Sequence, residues 1–373
     1  MCRPGLVGLI VAAGYSSRMG AFKPLLPLGD KTVIEAAVDS LRLGGVTDIR
    51  VIVGHRAEEL YPVLAGLQVG IIENPRYAEG MFSSIVTGLS TFAREAEAFF
   101  LLPGDTPLIR RRSIKDMVRL YHKTGAAVVY PVFNGERGHP PLISSRCFAS
   151  ILSGEGTGGL RRILAYFDAD SVEVELADQG VLLDIDTLED YKELTQFYVR
   201  RHIPTYSECL SILYKYQVSD KVACHGRAVA AVARRLAELL NGAGLNLNIE
   251  LVVAGGLLHD LAKSKPNHSK RGERVVRSMG FSRVGGIIAS HMDLELAADY
   301  VIDEAAVVFL ADKLVQGDKL VSLTERFRLA LDKFAASPEI VDSVLRRRRT
   351  AEAIWDRAAS LVGTGSLEEI MVL

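Results

Sequence analysis

Leu6-Val7-Gly8-Leu9-Ile10-Val11-Ala12-Ala13, followed at once by Gly14-Tyr15-Ser16-Ser17-Arg18-Met19-Gly20-Ala21-Phe22-Lys23-Pro24, decides how the first half of this sequence is read. An unbroken apolar run of this length, ended by glycine, predicts a strand buried on both faces. Gly14 and Gly20 allow backbone N–H groups to approach a phosphate chain without interference from a Cβ, and Arg18 and Lys23 add charge that neutralises one. The spacing is that of neither a P-loop, which ends in G-K-[ST], nor G-x-G-x-x-G. A glycine turn after a strand is ordinary by itself. Two cations in the same loop turn the reading towards an anion site.

Outward from this stretch, Asp48 to Val53, Val69 to Ile72, Ala98 to Leu102 and Ala126 to Tyr130 are further apolar runs bounded by Gly, Pro or Asn. Helical patterns at Val33 to Leu43, Ser83 to Ala93 and Ile114 to Lys123 fall between several of them. Such alternation predicts an α/β domain with a mostly parallel sheet and helices on both faces, its ligands outside the carboxyl ends of the strands. Leu188 to His202 predicts one closing helix, and Ile203-Pro204-Thr205 breaks it. Beyond that point every clear pattern is helical, with no convincing strand. The expected domains are 1–203, α/β, and 204–373, all-helical, with 337–373 as a helical extension of unassigned role.

With 373 residues, 49% hydrophobic and 24% charged, the chain is long enough for two cores and too apolar for disorder. Its 44 basic and 45 acidic side chains leave a net charge of -1, which argues against a broad cationic face and so against nucleic acid as a partner. The runs Arg110 to Arg112 and Arg346 to Arg349 read as solvated helix faces or phosphate contacts. Cys2, Cys147, Cys209 and Cys224 are scattered, which suggests neither a disulfide framework nor a zinc knuckle and fits a reducing cytoplasm. Arg3 before the first apolar run mimics a signal peptide, but cleavage there would remove the glycine turn, so export is not expected. No apolar stretch approaches the roughly 20 residues that span a bilayer, and no membrane partner is expected.

Two further strand ends offer carboxylates. Asp105 in Pro103-Gly104-Asp105-Thr106-Pro107 is placed to hold Mg²⁺, which takes few protein oxygens and keeps the rest of its shell for water and phosphate. In Leu183-Asp184-Ile185-Asp186-Thr187 two acids lie two residues apart, so on a strand both face one site. Asp184 reads as the metal ligand of that pair, and Asp186 as a cap or structural residue of the helix carrying Glu189 and Asp190.

These stretches carry a family resemblance. V-A-A-G-Y-S-S-R-M-G-A-F-K (Val11 to Lys23), E-G-M-F-S-S-I (Glu79 to Ile85), P-G-D-T-P (Pro103 to Pro107), G-E-R-G-H-P-P (Gly135 to Pro141) and D-I-D-T-L-E-D (Asp184 to Asp190) resemble the motif series of molybdenum cofactor nucleotidyltransferases, and within them the cytidylyltransferase branch. The resemblance implies a Rossmann-like fold that transfers CMP from CTP to the phosphate of molybdopterin and releases pyrophosphate, with later delivery to molybdoenzymes. It implies nucleotide contacts from Ala12, Ala13, Gly14, Ser17, Arg18, Met19, Gly20, Lys23, Ser83 and Gly104, with Arg18, Lys23 and Asp105 in the catalytic apparatus. It further implies Mg²⁺ on Asp105 and Asp184, and acceptor contacts from Gly138, His139 and Pro140. The guanylyl branch begins its loop L-A-G-G, whereas Val11-Ala12-Ala13-Gly14 favours CTP. Ser153 to Arg161 departs from the branch's G-D-x-G-A-R, which leaves another phosphorylated acceptor, such as a sugar or polyol phosphate, as the alternative. A phosphate-monoester nucleophile is already ionised near neutral pH, so no general base is demanded and His139 reads as a substrate-shaping residue.

In the second half, four of the eight histidines, His225, His259, His268 and His291, fall close together. His259-Asp260 is expected on a helix from Glu250 to Ala262, His225 on the inward face that Val222, Val229, Val232 and Leu236 share, and Asp312 in step with Val308 and Val315. Buried imidazoles and carboxylates are costly unless paired or metal-bound, so inward groups of this kind on three helices imply a metal centre. The pattern resembles the HD superfamily of metal-dependent phosphohydrolases, with Gly256-Leu257-Leu258-His259-Asp260-Leu261-Ala262-Lys263 a close match. This implies one or two divalent transition metals (Mn, Fe, Ni or similar) on His225, His259, Asp260 and Asp312, with His268 and His291 for a second ion. Asp260 and Lys263 are then catalytic and a phosphate ester or nucleotide is the substrate. His268 also fits a solvated polar loop. A complete ligand set equally fits a nucleotide-sensing regulator.

Overall fold

β1 (Gly5–Val11) is the pivot of an eight-stranded sheet in which the chain first winds to one side of it and then returns to the other. The computed structural model describes residues 5–15, 19–154, 158–297 and 299–363, which divide into two compact units, Met1–Arg201 and His202–Leu373.

In the first unit the strands after β1 are β2 (Asp48–Val53), β3 (Gly70–Glu73), β4 (Ala96–Pro103), β5 (Val128–Phe133), β6 (Glu136–Arg137), β7 (Leu142–Ser144) and β8 (Val172–Glu175). Their order is β8-β5-β7-β4-β1-β2-β3, with β6 paired to β5. β1 pairs in parallel with both β2 (Leu9 opposite Arg50) and β4 (Leu9 opposite Leu101), while β7 runs antiparallel between β4 and β5. Leu9 and Ile10 point to opposite faces and are both fully buried, which explains why β1 reads as continuously apolar. The helices are α1 (Val33–Gly44), α2 (Ala57–Ala65), α3 (Met81–Ser90), α4 (Arg111–Thr124), α5 (Phe148–Leu152), α6 (Gly159–Ala165) and α7 (Leu188–Arg200). α1 starts where Thr32 and Glu35 form a reciprocal capping box, and it stops at Gly45 in the left-handed region. Because β1 is flanked by β2 and β4, a topological switch point lies at its carboxyl end.

The expected strand at Leu183–Thr187 is absent. After β8 the chain makes a short 3₁₀ turn at Gln179–Leu182, tied down by buried Asp178, and then runs to α7 without a sheet partner. Thr187, not Asp186, caps α7, in a capping box with Asp190.

The second unit comprises α8 (Tyr206–Lys215), α9 (Asp220–Gly242), α10 (Ile249–Leu258), α11 (His268–Ser278), α12 (Ser282–Ser290), α13 (Glu304–Lys313), α14 (Leu323–Phe334) and α15 (Pro338–Val362). α10 is buried continuously from Leu251 to Leu258 and forms the centre of this unit. A Cβ on Gly256 would meet the Ala230 Cα at 2.7 Å, and one on Gly226 would meet the Leu257 carbonyl oxygen at 2.8 Å. These two glycines let α9 and α10 approach closely, and so bring His225 up against His259. α10 ends at Leu258, earlier than the sequence pattern predicts, because Leu261 N–H and Lys263 N–H bond to carbonyls three residues back, Leu258 and Asp260. A second difference is a small hairpin, Val315–Gln316 with Lys319–Leu320, too short to show a period in the sequence.

Candidate functional site

At the switch point of the first unit a cavity of about 340 Å³ is lined by Val11 to Tyr15, Lys23, Tyr77, Gly80, Met81, Ser84 and Pro103 to Asp105, among others. Gly104 N–H bonds to the Val11 carbonyl at 2.9 Å, which stacks the aspartate loop directly on the end of β1. Lys23 is buried, and its Nζ donates to Asp186 Oδ1 at 2.9 Å and to Asp105 Oδ2 at 3.2 Å. Burial, reinforced by the like charges of Asp105 and Asp186, pushes the Asp184 carboxyl above its ordinary range. Two carboxylates thus converge on Lys23, and Asp184 lies close enough to both to feel their charge. Asp186, expected as a cap or structural residue, accepts from Lys23 in this cluster.

Ala12, Ala13, Gly14, Lys23 and Gly104 all line the cavity. Met19 packs against the cluster around Leu28 and Ile185, and Gly20 turns the loop with φ 65°. Ser17 and Arg18 lie outside the described residues. Ser83 is turned away: its hydroxyl receives a bond from Asn74 Nδ2 (2.9 Å) and donates to the Arg76 and Gly80 carbonyls, while Ser84 reaches the cavity. Sequence reasoning missed Tyr15 and Tyr77, whose rings pack edge-on with centroids 5.5 Å apart at the rim, beside His55. An aromatic residue directly after the strand-ending glycine was the available signal.

A second cavity of about 820 Å³ adjoins the first, sharing Met81 with it, and is lined by Tyr130, Arg137, Gly138, His139, Leu160, Arg161 and others. Gly138 is required there, since a Cβ would lie 2.3 Å from the Val181 carbonyl oxygen. That carbonyl also accepts the His139 N–H at 2.8 Å. Pro140 is buried behind this wall. Of the divergent segment Ser153 to Arg161, residues 155–157 lie outside the described ones.

In the second unit, His225 on α9, His259 and Asp260 just after α10, His268 at the start of α11, His291 just after α12 and Asp312 on α13 meet in one cluster. Asp260 spans it. Its Oδ2 lies 3.4 Å from His259 Nε2 and 3.9 Å from His225 Nε2, and its Oδ1 lies 3.6 Å from His268 Nε2 and 3.7 Å from His291 Nε2. Asp312 Oδ1 completes the first half, 3.1 Å from His225 Nε2 and 3.6 Å from His259 Nε2. Each of three rings spends its Nδ1 on a backbone carbonyl: His225 on Gly317 of the small hairpin (2.7 Å), His259 on Gly256 (2.8 Å) and His291 on Ile288 (2.7 Å). With each Nδ1 turned to a backbone carbonyl, each Nε2 is directed into the cluster, the nitrogen a metal would take.

His259 Nε2 is buried with no hydrogen-bond partner. Burial opposes ionisation of Asp260 and Asp312, yet His259, His291 and Lys263 around the first, and Lys313 and His225 around the second, hold both well below the ordinary carboxylate range. Two anionic carboxylates facing inward imidazoles, one with an orphaned nitrogen, fit divalent cations. Lys263 reaches Asp260 Oδ2 from a half-exposed position. Buried Lys313, bonded to Asp312, escaped the sequence reading because a lysine beside an aspartate at a helix end has no distinctive pattern.

Among the described residues no helix is long and apolar enough to cross a membrane. Residues 8–174 match the MobA-like NTP transferase domain, and residues 222–316 match the HD domain. The molybdenum cofactor cytidylyltransferase of Escherichia coli K12 is 32% identical over 184 residues, covering 49% of this chain and 92% of the relative. The bifunctional IPC transferase and DIPP synthase of Rubrobacter xylanophilus is 37% identical over 93 residues, 23% of this chain and 21% of its own length. A nucleotidyl transferase structure from Methanothermobacter thermautotroptrophicus aligns over 53% of this chain and 99% of its own, at 23% identity and a TM-score of 0.47. The chain belongs to the MobA-like NTP transferase family: it is a nucleotidyltransferase that carries an HD domain.

Proposed function

We propose that residues 1–203 transfer CMP from CTP to molybdopterin with release of pyrophosphate, and that residues 204–373 hydrolyse a phosphate ester or nucleotide. The observation that carries the first activity is Lys23, held between Asp105 and Asp186 at a cavity that adjoins a second, larger one. The triphosphate takes the smaller cavity, against the amides after β1, and the acceptor takes the larger. Lys23 neutralises charge that develops on the transferring phosphorus, and Gly138 and His139 shape the acceptor wall. Asp105 and Asp184 would hold Mg²⁺, which would supply further charge neutralisation at the triphosphate. The acceptor phosphate attacks in its ionised form, so no side chain removes a proton.

In the HD unit, His225, His259, Asp260 and Asp312 would hold one divalent cation, and Asp260, His268 and His291 a second. When bound there, such cations would supply Lewis-acid activation of water and charge neutralisation at the phosphate. Lys263 binds the substrate phosphate. Protein incubated with molybdopterin and each nucleoside triphosphate should release pyrophosphate selectively with CTP. Equal or preferential turnover of GTP would overturn the cytidylyl assignment. The local likeness to a second kind of transferase favours one other reading of the acceptor, as another small phosphorylated compound such as a sugar or polyol phosphate, and the ligand set of the HD unit equally fits a module that responds to nucleotides without hydrolysing them. A metal-loaded chain that cleaves nothing in a panel of nucleotides and phosphate esters would favour it.

A further inference from the structure

Lys313 is the last residue of α13 and is 5% exposed, yet it carries a charge into the interior beside the histidine cluster. Its Nζ donates to Asp312 Oδ2 at 2.6 Å and to the His291 carbonyl at 3.1 Å, and it lies 4.5 Å from the centre of the Phe309 ring. The two acceptors belong to different halves of the cluster. Asp312 turns its other oxygen, Oδ1, to His225 and His259, whereas His291 directs its Nε2 at Asp260 Oδ1 and lies 3.2 Å from His268 Nε2. One side chain therefore fixes which oxygen of Asp312 faces inward and also anchors the backbone that carries His291.

We infer that Lys313 is a positioning residue that sets Asp312 and His291 for metal binding and couples the two halves of the HD cluster. The inference rests on the reading of this cluster as a divalent-metal centre. Lys313 is not itself a ligand, since its ammonium has no lone pair to offer. A cation placed here only to balance charge would repel an incoming metal, so its loss would leave affinity unchanged or raise it. A positioning role has the opposite sign. Groups that orient ligands from behind are worth about 10–100-fold in metal affinity.

The test is a Co²⁺ titration of the metal-free full chain, following visible absorption and the metal retained after dialysis, for wild type, Lys313→Met and Lys313→Gln. Methionine keeps the apolar stem and removes the donor, and glutamine keeps a neutral donor. Lys313→Met is expected to bind Co²⁺ about 10–100-fold more weakly with an altered visible spectrum, its far-UV circular dichroism unchanged, and Lys313→Gln to fall between it and wild type. Wild-type affinity and spectrum in Lys313→Met, or tighter binding, would overturn the inference while leaving the metal centre standing. If Lys313→Met does not fold, Lys313→Gln decides: weakened binding supports the role and wild-type binding overturns it. A wild-type chain that takes up no Co²⁺ would overturn the metal-centre reading and this inference together.

Discussion

Lys23 and Asp105, which are 82 positions apart in the chain, meet at 3.2 Å where the loops after β1 and β4 converge. A buried ammonium between Asp105 and Asp186 is oriented before substrate arrives, and preorganised charge of this kind is usually the largest contribution to phosphoryl and nucleotidyl transfer. Lys23→Met is expected to lower kcat for pyrophosphate release about 10²–10³-fold. Asp105→Asn should do the same and also raise the Mg²⁺ concentration needed for half-maximal rate. A Lys23→Met enzyme within threefold of wild type would remove that lysine from the catalytic apparatus.

Asp260 faces His225 and His259 through one oxygen and His268 and His291 through the other. Asp260→Ala should therefore empty both halves, whereas His268→Ala should empty only the second. Metal analysis after dialysis distinguishes the two variants. Retention of the full wild-type metal content in Asp260→Ala would contradict the bridging arrangement.

The strands and helices of the first unit were legible because buried parallel strands write long apolar runs, and Asp48–Val53 needed no adjustment. Asp184–Asp186 misled for a related reason: two acids flanking an isoleucine imitate the period of a strand, but no neighbouring strand is available to pair with them. The cluster in the second unit was legible through His225, His259, Asp260 and Asp312, whose residue types are costly to bury without a purpose. What fixes them was not. Gly317 sits in a hairpin of two-residue strands, and Lys313 binds Asp312 and the His291 carbonyl through contacts that depend on how α12 and α13 pack.

Cys147 is fully buried and burial pushes its thiol up to about 11, against the weaker pull of Arg146, while Cys224 is exposed. At pH 8 the native chain should be alkylated by iodoacetamide at Cys224, and at Cys147 only after unfolding. Because the folded value lies above the ordinary thiol value of 9.0, the associated stability is present below about pH 9 and lost as pH rises towards about 11. Denaturant melts of wild type and Cys147→Ala should converge over that interval. Rapid native alkylation of Cys147, read by peptide mass mapping, would contradict its burial.

Gly138 distinguishes the two cavities, because it lines the larger one, proposed for the acceptor, and not the smaller one, proposed for the nucleotide. An alanine there would press its methyl to 2.3 Å from the Val181 carbonyl, a backbone atom that cannot swing aside. The 135–141 segment must then shift, at a stability cost of about 1–3 kcal/mol typical of overpacking. The expected signature of Gly138→Ala is a raised KM for the phosphorylated acceptor with the KM for the nucleoside triphosphate nearly unchanged, since Lys23 and Asp105 keep their places. Matched increases in both constants would mean that the two cavities do not bind separate substrates. An unchanged acceptor KM would move the acceptor away from this wall altogether.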